Sequence, residues 1–144
     1  MKKWICLSLA LLVLLCTALP TLAEQPIKVV LKGETLDFAD AEPMMVNDRT
    51  MVPMRFIFEK LGAAVWYDDV NQTVFAFTEE DTMVMQIGSN RLFINDLPVE
   101  LDVPSMLVPV EGGDRTMVPL RAVSESFGLK VEWNDAESTV IITE

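Results

Sequence analysis

Histidine is absent from all 144 residues, and that absence removes more chemistry than any residue present suggests. Without imidazole there is no ordinary neutral-pH general base, no His zinc or copper ligand and no His-containing catalytic triad. Cysteine is nearly as scarce: two are present, Cys6 and Cys16, both near the start of the chain. Basic side chains number 11 against 22 acidic ones, for a formal charge of −11. Phosphate recognition needs clustered Lys and Arg, so nucleic acid is excluded as a partner, and the same deficit argues against an anionic lipid surface. The length suits one ordinary domain of roughly 100–150 residues.

What is present begins with a leader. Lys2 and Lys3 precede an uncharged apolar run from Trp4 to Leu19, Pro20 breaks it, and Thr21-Leu22-Ala23 supplies small residues at the positions a signal peptidase reads. This order predicts a secretory signal over 1–23, cleaved after Ala23, and a domain over 24–144. The apolar run is short for a span of roughly 20 residues, so no membrane attachment is expected after cleavage. Leu15, not a small residue, precedes Cys16, which argues against lipidation. The mature chain then has no cysteine and no disulfide, and without Lys2 and Lys3 its charge becomes −13. An acidic, extracytoplasmic protein, secreted or associated with the cell envelope, is the expectation.

Self-similarity organises the remainder. Asp48-Arg49-Thr50-Met51-Val52-Pro53-Met54-Arg55 recurs as Asp114-Arg115-Thr116-Met117-Val118-Pro119-Leu120-Arg121. The spacing of 66 continues through Glu59 and Glu125, Gly62 and Gly128, Val65 and Val131, and Asp69 and Asp135. Upstream the spacing is 63, which places a three-residue insertion near Glu111-Gly112-Gly113. The pattern predicts tandem halves over about 27–77 and 90–143, each a hairpin, a helix and a second hairpin.

In the first half, Val29-Val30-Leu31 and Thr35–Phe38 read as strands around Lys32-Gly33; Asn95-Asp96 takes the turn in the second. Pro53 and Pro119 suit a first helical position. Met54, Ile57 and Leu61, like Leu120, Val123 and Phe127, form an apolar helix stripe, and Gly62 and Gly128 suit left-handed C-terminal caps. Period-two alternation follows each glycine. The predicted class is α+β, a mainly antiparallel sheet with two short helices, the halves sharing one sheet system.

Arg-Thr-x-Val-Pro-x-Arg, Glu four residues on, Leu/Phe-Gly and then Val-x-Tyr/Trp-Asp/Asn resembles the copper amine oxidase N-terminal (stalk-like) domain family. The resemblance spans Arg49 to Asp68 and again Arg115 to Asn134. It implies an antiparallel sheet wrapped on a helix, in exported bacterial proteins. It does not imply oxidase chemistry, because copper amine oxidases require three histidines and a processed tyrosine, and the one tyrosine here, Tyr67, belongs to a repeat strand.

Candidate sites divide into structural and functional readings. Arg55 and Arg121 lie four residues before Glu59 and Glu125, a spacing at which each pair can meet on a helix face. With Arg49 and Arg115 beside Asp48 and Asp114, they read as an ion-pair and capping network rather than an anion site. Met83 and Met85 share a strand face and could hold Cu(I), but methionine also fills irregular cores, the preferred reading. The acidic turns at Asp68-Asp69-Asn71 and Asn134-Asp135-Glu137 lack EF-hand spacing and read as Asx turns rather than calcium ligands. Trp66 is the exception. Its partner in the repeat is Glu132, and Val65 and Tyr67 facing inward put it outward, more exposed than Trp133, where it could stack on a sugar or anchor a partner.

The reading is an exported, non-catalytic interaction or stalk module of the cell envelope or exterior. Its partner would be an unidentified protein or cell-wall component, with no cofactor, no metal and no catalytic residue. The alternative is an extracytoplasmic protein that binds a small ligand or metal through methionine or acidic turns; a carboxylate-only wall hydrolase comes third. A scaffold of this kind is not expected to hold a polar pocket built from both halves.

Overall fold

The structure, a computed structural model, describes residues 25–144; the leader over 1–23, the cleavage after Ala23 and both cysteines lie outside the described residues. Among the described residues it is β-rich with two helices. The elements run β1 (Lys28–Leu31), β2 (Glu34–Thr35), β3 (Met44–Val46), β4 (Arg49–Pro53), α1 (Met54–Lys60), β5 (Ala64–Asp68), β6 (Thr73–Phe77) and β7 (Thr82–Gln86). Then follow β8 (Arg91–Ile94), β9 (Leu97–Glu100), β10 (Met106–Val110), β11 (Gly113–Pro119), α2 (Leu120–Ser126), β12 (Lys130–Asn134) and β13 (Thr139–Thr143).

Three sheets form, in the orders β12-β13-β1-β2, β10-β11-β4-β3 and β5-β6-β7-β8-β9. Every described pairing is antiparallel except β1 with β13. Two of the sheets join strands distant in the chain, β1 to β13 and β4 to β11, whereas the third, β5 to β9, is a contiguous meander.

Two local expectations need correction. A further hairpin, β3–β4 or β10–β11, stands between the expected hairpin and each helix, where the sequence reading has the helix follow the first hairpin. Thr-Met-Val is β-prone, and the strand is held because Val52 pairs with Val118, flanked by Met51 with Pro119 and Pro53 with Met117. The prolines consequently end strands β4 and β11 and cap the helices, with ψ of 119° and 115°, instead of opening the first turn. β2 is also shorter than expected, stopping at Thr35.

The turns follow residue chemistry at Asn, Asp and Gly, while Lys32, Gln72 and Ser138 take positive φ against their own preference. Lys32 and Gly33, Asn47 and Asp48, and Asn95 and Asp96 all have positive φ at paired central positions, the type I′ signature that matches strand twist. Each helix closes with a Schellman motif. Gly62 N–H donates to Glu59 O and Ala63 N–H to Phe58 O, and Gly128 and Leu129 repeat this onto Glu125 O and Ser124 O.

The helices are only seven residues long and depend on packing. α1 packs on β4, β5 and β11, and α2 on β4, β9, β11 and β12. Ile57, Phe58, Leu120 and Val123 meet Val52, Val118, Val74, Leu92 and Ile142 in the main core. Full burial of a side chain such as Ile57 contributes about 1.5–3 kcal/mol. The opposite face of the β4–β11 sheet carries a smaller cluster of Met51, Met117 and Val103.

Candidate functional site

Trp66 projects from β5 and is 60% exposed, against 39% for Trp133. It is not alone. Register places Trp66 opposite Phe75, Phe75 opposite Val84, Val84 opposite Phe93 and Phe93 opposite Pro98. Opposed residues in antiparallel strands share a face. An apolar row therefore crosses all five strands on the side away from Val74, Met83, Met85 and Leu92. The Trp66 and Phe75 rings lie 5.3 Å apart. Sequence reasoning found the tryptophan and missed the row. The signal was there, since 66, 75, 84 and 93 are spaced evenly at the period of a meander, but only strand pairing turns that spacing into one face.

Two clefts lie elsewhere, and they correct the expectation that no polar pocket joins the halves. The larger, about 660 Å³, is bounded by Pro53 and Arg55 at the start of α1 and by Asp114, Arg115 and Thr116 of β11, with Phe38, Phe56 and Tyr67 as its aromatic wall. The smaller, about 430 Å³, is bounded by Pro119 and Arg121 at the start of α2, by Asp48, Arg49 and Thr50, and by Trp133. The two contain the same motif positions with the halves exchanged. The cause is the β4–β11 pairing: antiparallel strands meeting at Val52 and Val118 carry the Asp-Arg-Thr of each motif across to the Pro-x-Arg of the other.

The expected helix-face ion pairs are a further correction. No carboxylate stands within 4.0 Å of Arg55 or Arg121 among the described residues, so the pairs Arg55–Glu59 and Arg121–Glu125 do not form. On an exposed helix such a contact gains little over hydration. Apart from Arg91 with Glu100 across the β8–β9 hairpin, the ion pairs that do form join distant segments. Arg49 Nε donates to Asp102 Oδ2 at 2.6 Å, while Arg115 Nη2 lies 3.6 Å from Asp40 Oδ2 and its Nη1 donates to the Gly113 and Asp114 carbonyls. The Arg49 hydrogen bond is the main cause holding the Asp102 carboxyl below its ordinary pKa.

Glu59 and Glu125 are exposed on their helices, and Glu59 borders the larger cleft. Gly62 and Gly128 serve the helix ends alone.

The acidic turns are occupied by their own chain. Asp68 accepts from Val70 N–H, Asn71 N–H and Asn71 Nδ2, and the Asn71 side-chain bond leads in lowering its pKa. Trp133 Nε1 donates to Asp135 and Asn134 Nδ2 to Glu137. No group of three or more His, Cys, Asp or Glu converges as a metal set among the described residues. Met83 and Met85 are each 1% exposed and lie in the main core.

Among the described residues no helix is long and apolar enough to cross a membrane. No curated protein and no solved structure gives a match. The copper amine oxidase N-terminal domain family matches residues 30–142, which takes in both motif stretches, both clefts and all three sheets. In the oxidases that give the family its name this domain is the non-catalytic part. The chain belongs to the copper amine oxidase N-terminal domain family.

Proposed function

We propose that this chain is an exported, non-catalytic interaction module of the bacterial envelope or exterior, built from a duplicated hairpin-helix-hairpin unit and working without a cofactor. Its partner is a cell-wall polymer or a protein, contacted through the outer face of the five-stranded sheet. One observation carries the reading: an apolar row headed by Trp66 is left facing water on a protein of net charge −11. Exposed aromatic surface of this kind marks contact sites. The leader read from the sequence supports export.

The clefts hold carboxylates, which brings the hydrolase reading back for comparison. A general acid of that chemistry needs a carboxyl whose pKa is raised by an apolar site. Glu59 and Asp114 are exposed, the Asp40 side chain is 74% exposed, and Asp102 is shifted downward. That environment favours binding over catalysis.

Co-sedimentation with purified insoluble peptidoglycan tests the proposal, comparing the parent with Trp66→Ala. Binding by the parent that is lost in the variant supports the face and the polymer. Failure of the parent to sediment removes the wall as partner and leaves only a protein partner.

A further inference from the structure

Both copies of the motif keep an arginine that stands outside the ion pairs and side-chain hydrogen bonds of the described residues, although the Arg121 charge is felt by Asp102. Arg55 and Arg121 are exposed, lack a carboxylate within 4.0 Å among the described residues, and donate none of the side-chain hydrogen bonds formed there. Some of their neighbours differ between the copies: Phe56 faces Ala122 across the spacing of 66, Lys60 faces Ser126 and Trp66 faces Glu132, while Pro53 with Pro119 and Glu59 with Glu125 are kept. Each retained arginine borders a cleft, and the cleft is completed by the Asp-Arg-Thr of the other motif.

The chemistry of the walls narrows the ligand. An arginine only donates hydrogen bonds, and an ionised carboxylate only accepts them. Phosphate or sulfate would satisfy the arginines and be repelled by Asp40, Glu59 and Asp114 in the larger cleft, or by Asp48, Asp102 and Glu132 in the smaller. An ammonium group would do the reverse. A hydroxyl both donates and accepts, so a ring bearing several hydroxyls can meet both kinds of wall without a charge of its own. Tyr67 in one cleft and Trp133 in the other offer flat apolar surface for the C–H face of such a ring. Volumes of about 660 and 430 Å³ fall in the range of small-ligand sites.

We infer that the two clefts are a matched pair of sites for uncharged sugar units, so that one chain grips a glycan at two points related by the exchange of its halves. The inference rests on the wall-polymer arm of the proposed function and names where the sugars sit, away from the Trp66 face. Two linked weak sites gain avidity on a repeating polymer that neither has alone.

Titration of the full chain with a β-1,4-linked N-acetylglucosamine tetramer, followed by backbone amide NMR shifts, tests it apart from wall sedimentation. The expected result is two groups of shifted amides, one around Arg55 and Tyr67 and one around Arg121 and Trp133. Tyr67→Ala weakens the first site roughly tenfold and leaves the second, while Trp133→Ala does the opposite. Because aromatic truncation can disturb packing, Arg55→Gln and Arg121→Gln repeat the test with exposed residues, each weakening its own cleft alone. Shifts confined to the Trp66–Phe93 row, or no shift in either cleft, overturn the inference. So does displacement of the tetramer from the clefts by free glycine at equal concentration, which would mark them as sites for a zwitterion. If Trp66→Ala sediments with the wall as the parent does while the clefts bind the tetramer, the sheet-face reading falls and this inference stands.

Discussion

Replacing Gly62 by alanine isolates a single physical term. Gly62 has φ of +90°, and a Cβ built there meets nothing within 4 Å, so the substitution adds no clash and opens no cavity. What remains is the backbone penalty of an L-residue in the left-handed region, about 1–2 kcal/mol, partly offset by the reduced freedom of the unfolded chain. The net expectation is a loss of about 1 kcal/mol. Urea unfolding followed by circular dichroism should show a lower midpoint at unchanged slope. Gly128→Ala, at φ of +77° and in equally open space, should lose a similar amount. The two caps share no hydrogen-bond partner, so the double variant should lose about 2 kcal/mol. Gly62→Asn should fall between parent and alanine, since asparagine tolerates this region. An alanine variant as stable as the parent would refute the argument, because it would mean that the Schellman closure does not depend on a left-handed residue.

A double-mutant cycle on Arg55→Ala and Glu59→Ala should give a coupling below about 0.3 kcal/mol, the lower end for exposed helix pairs, since the two do not meet; a larger value would restore the ion pair. Ser124 Oγ is buried without a hydrogen-bond partner among the described residues, so Ser124→Ala should hold or raise stability by up to about 1 kcal/mol in the same urea assay, and a clear loss would reveal a hidden partner. Asp102 should titrate below an ordinary aspartate in carbon-detected NMR, and Arg49→Gln should move it upward. Its contribution to stability is present above the unfolded-state pKa and fades as pH falls through the lower folded value. With both side chains about half exposed that contribution stays within about 1 kcal/mol, and an unchanged Asp102 titration in the variant would exclude Arg49 as its cause.

Much of the local structure was legible because local chemistry is sufficient to set it. Glycine after an apolar helix stripe reads as a C-cap, and Gly62 and Gly128 are caps. Lys32-Gly33 and Asn95-Asp96 read as tight turns because Gly33, Asn95 and Asp96 accept positive φ, and Trp66 reads as outward from the alternation around it. Where the sequence reading erred, two solutions of similar local cost were in competition. Thr-Met-Val-Pro can enter a helix directly or finish a strand first, and only the partner strand decides. Arg55 and Glu59 have the spacing of an ion pair, but hydration competes on equal terms at the surface.

The sequence by itself determined the chemical poverty of this protein, with no histidine and few cations, together with its turns, its helix ends and its family. Those depend on residue identity and on neighbours a few positions away. Only the tertiary structure decided the contact surfaces. A row of apolar residues spaced nine apart becomes one face only when five strands pair in register. The two clefts exist only because β4 and β11, 66 residues apart, meet antiparallel at Val52 and Val118 and cross the motifs over. Such long-range pairing depends on burial of the whole core, and no short window of sequence contains it.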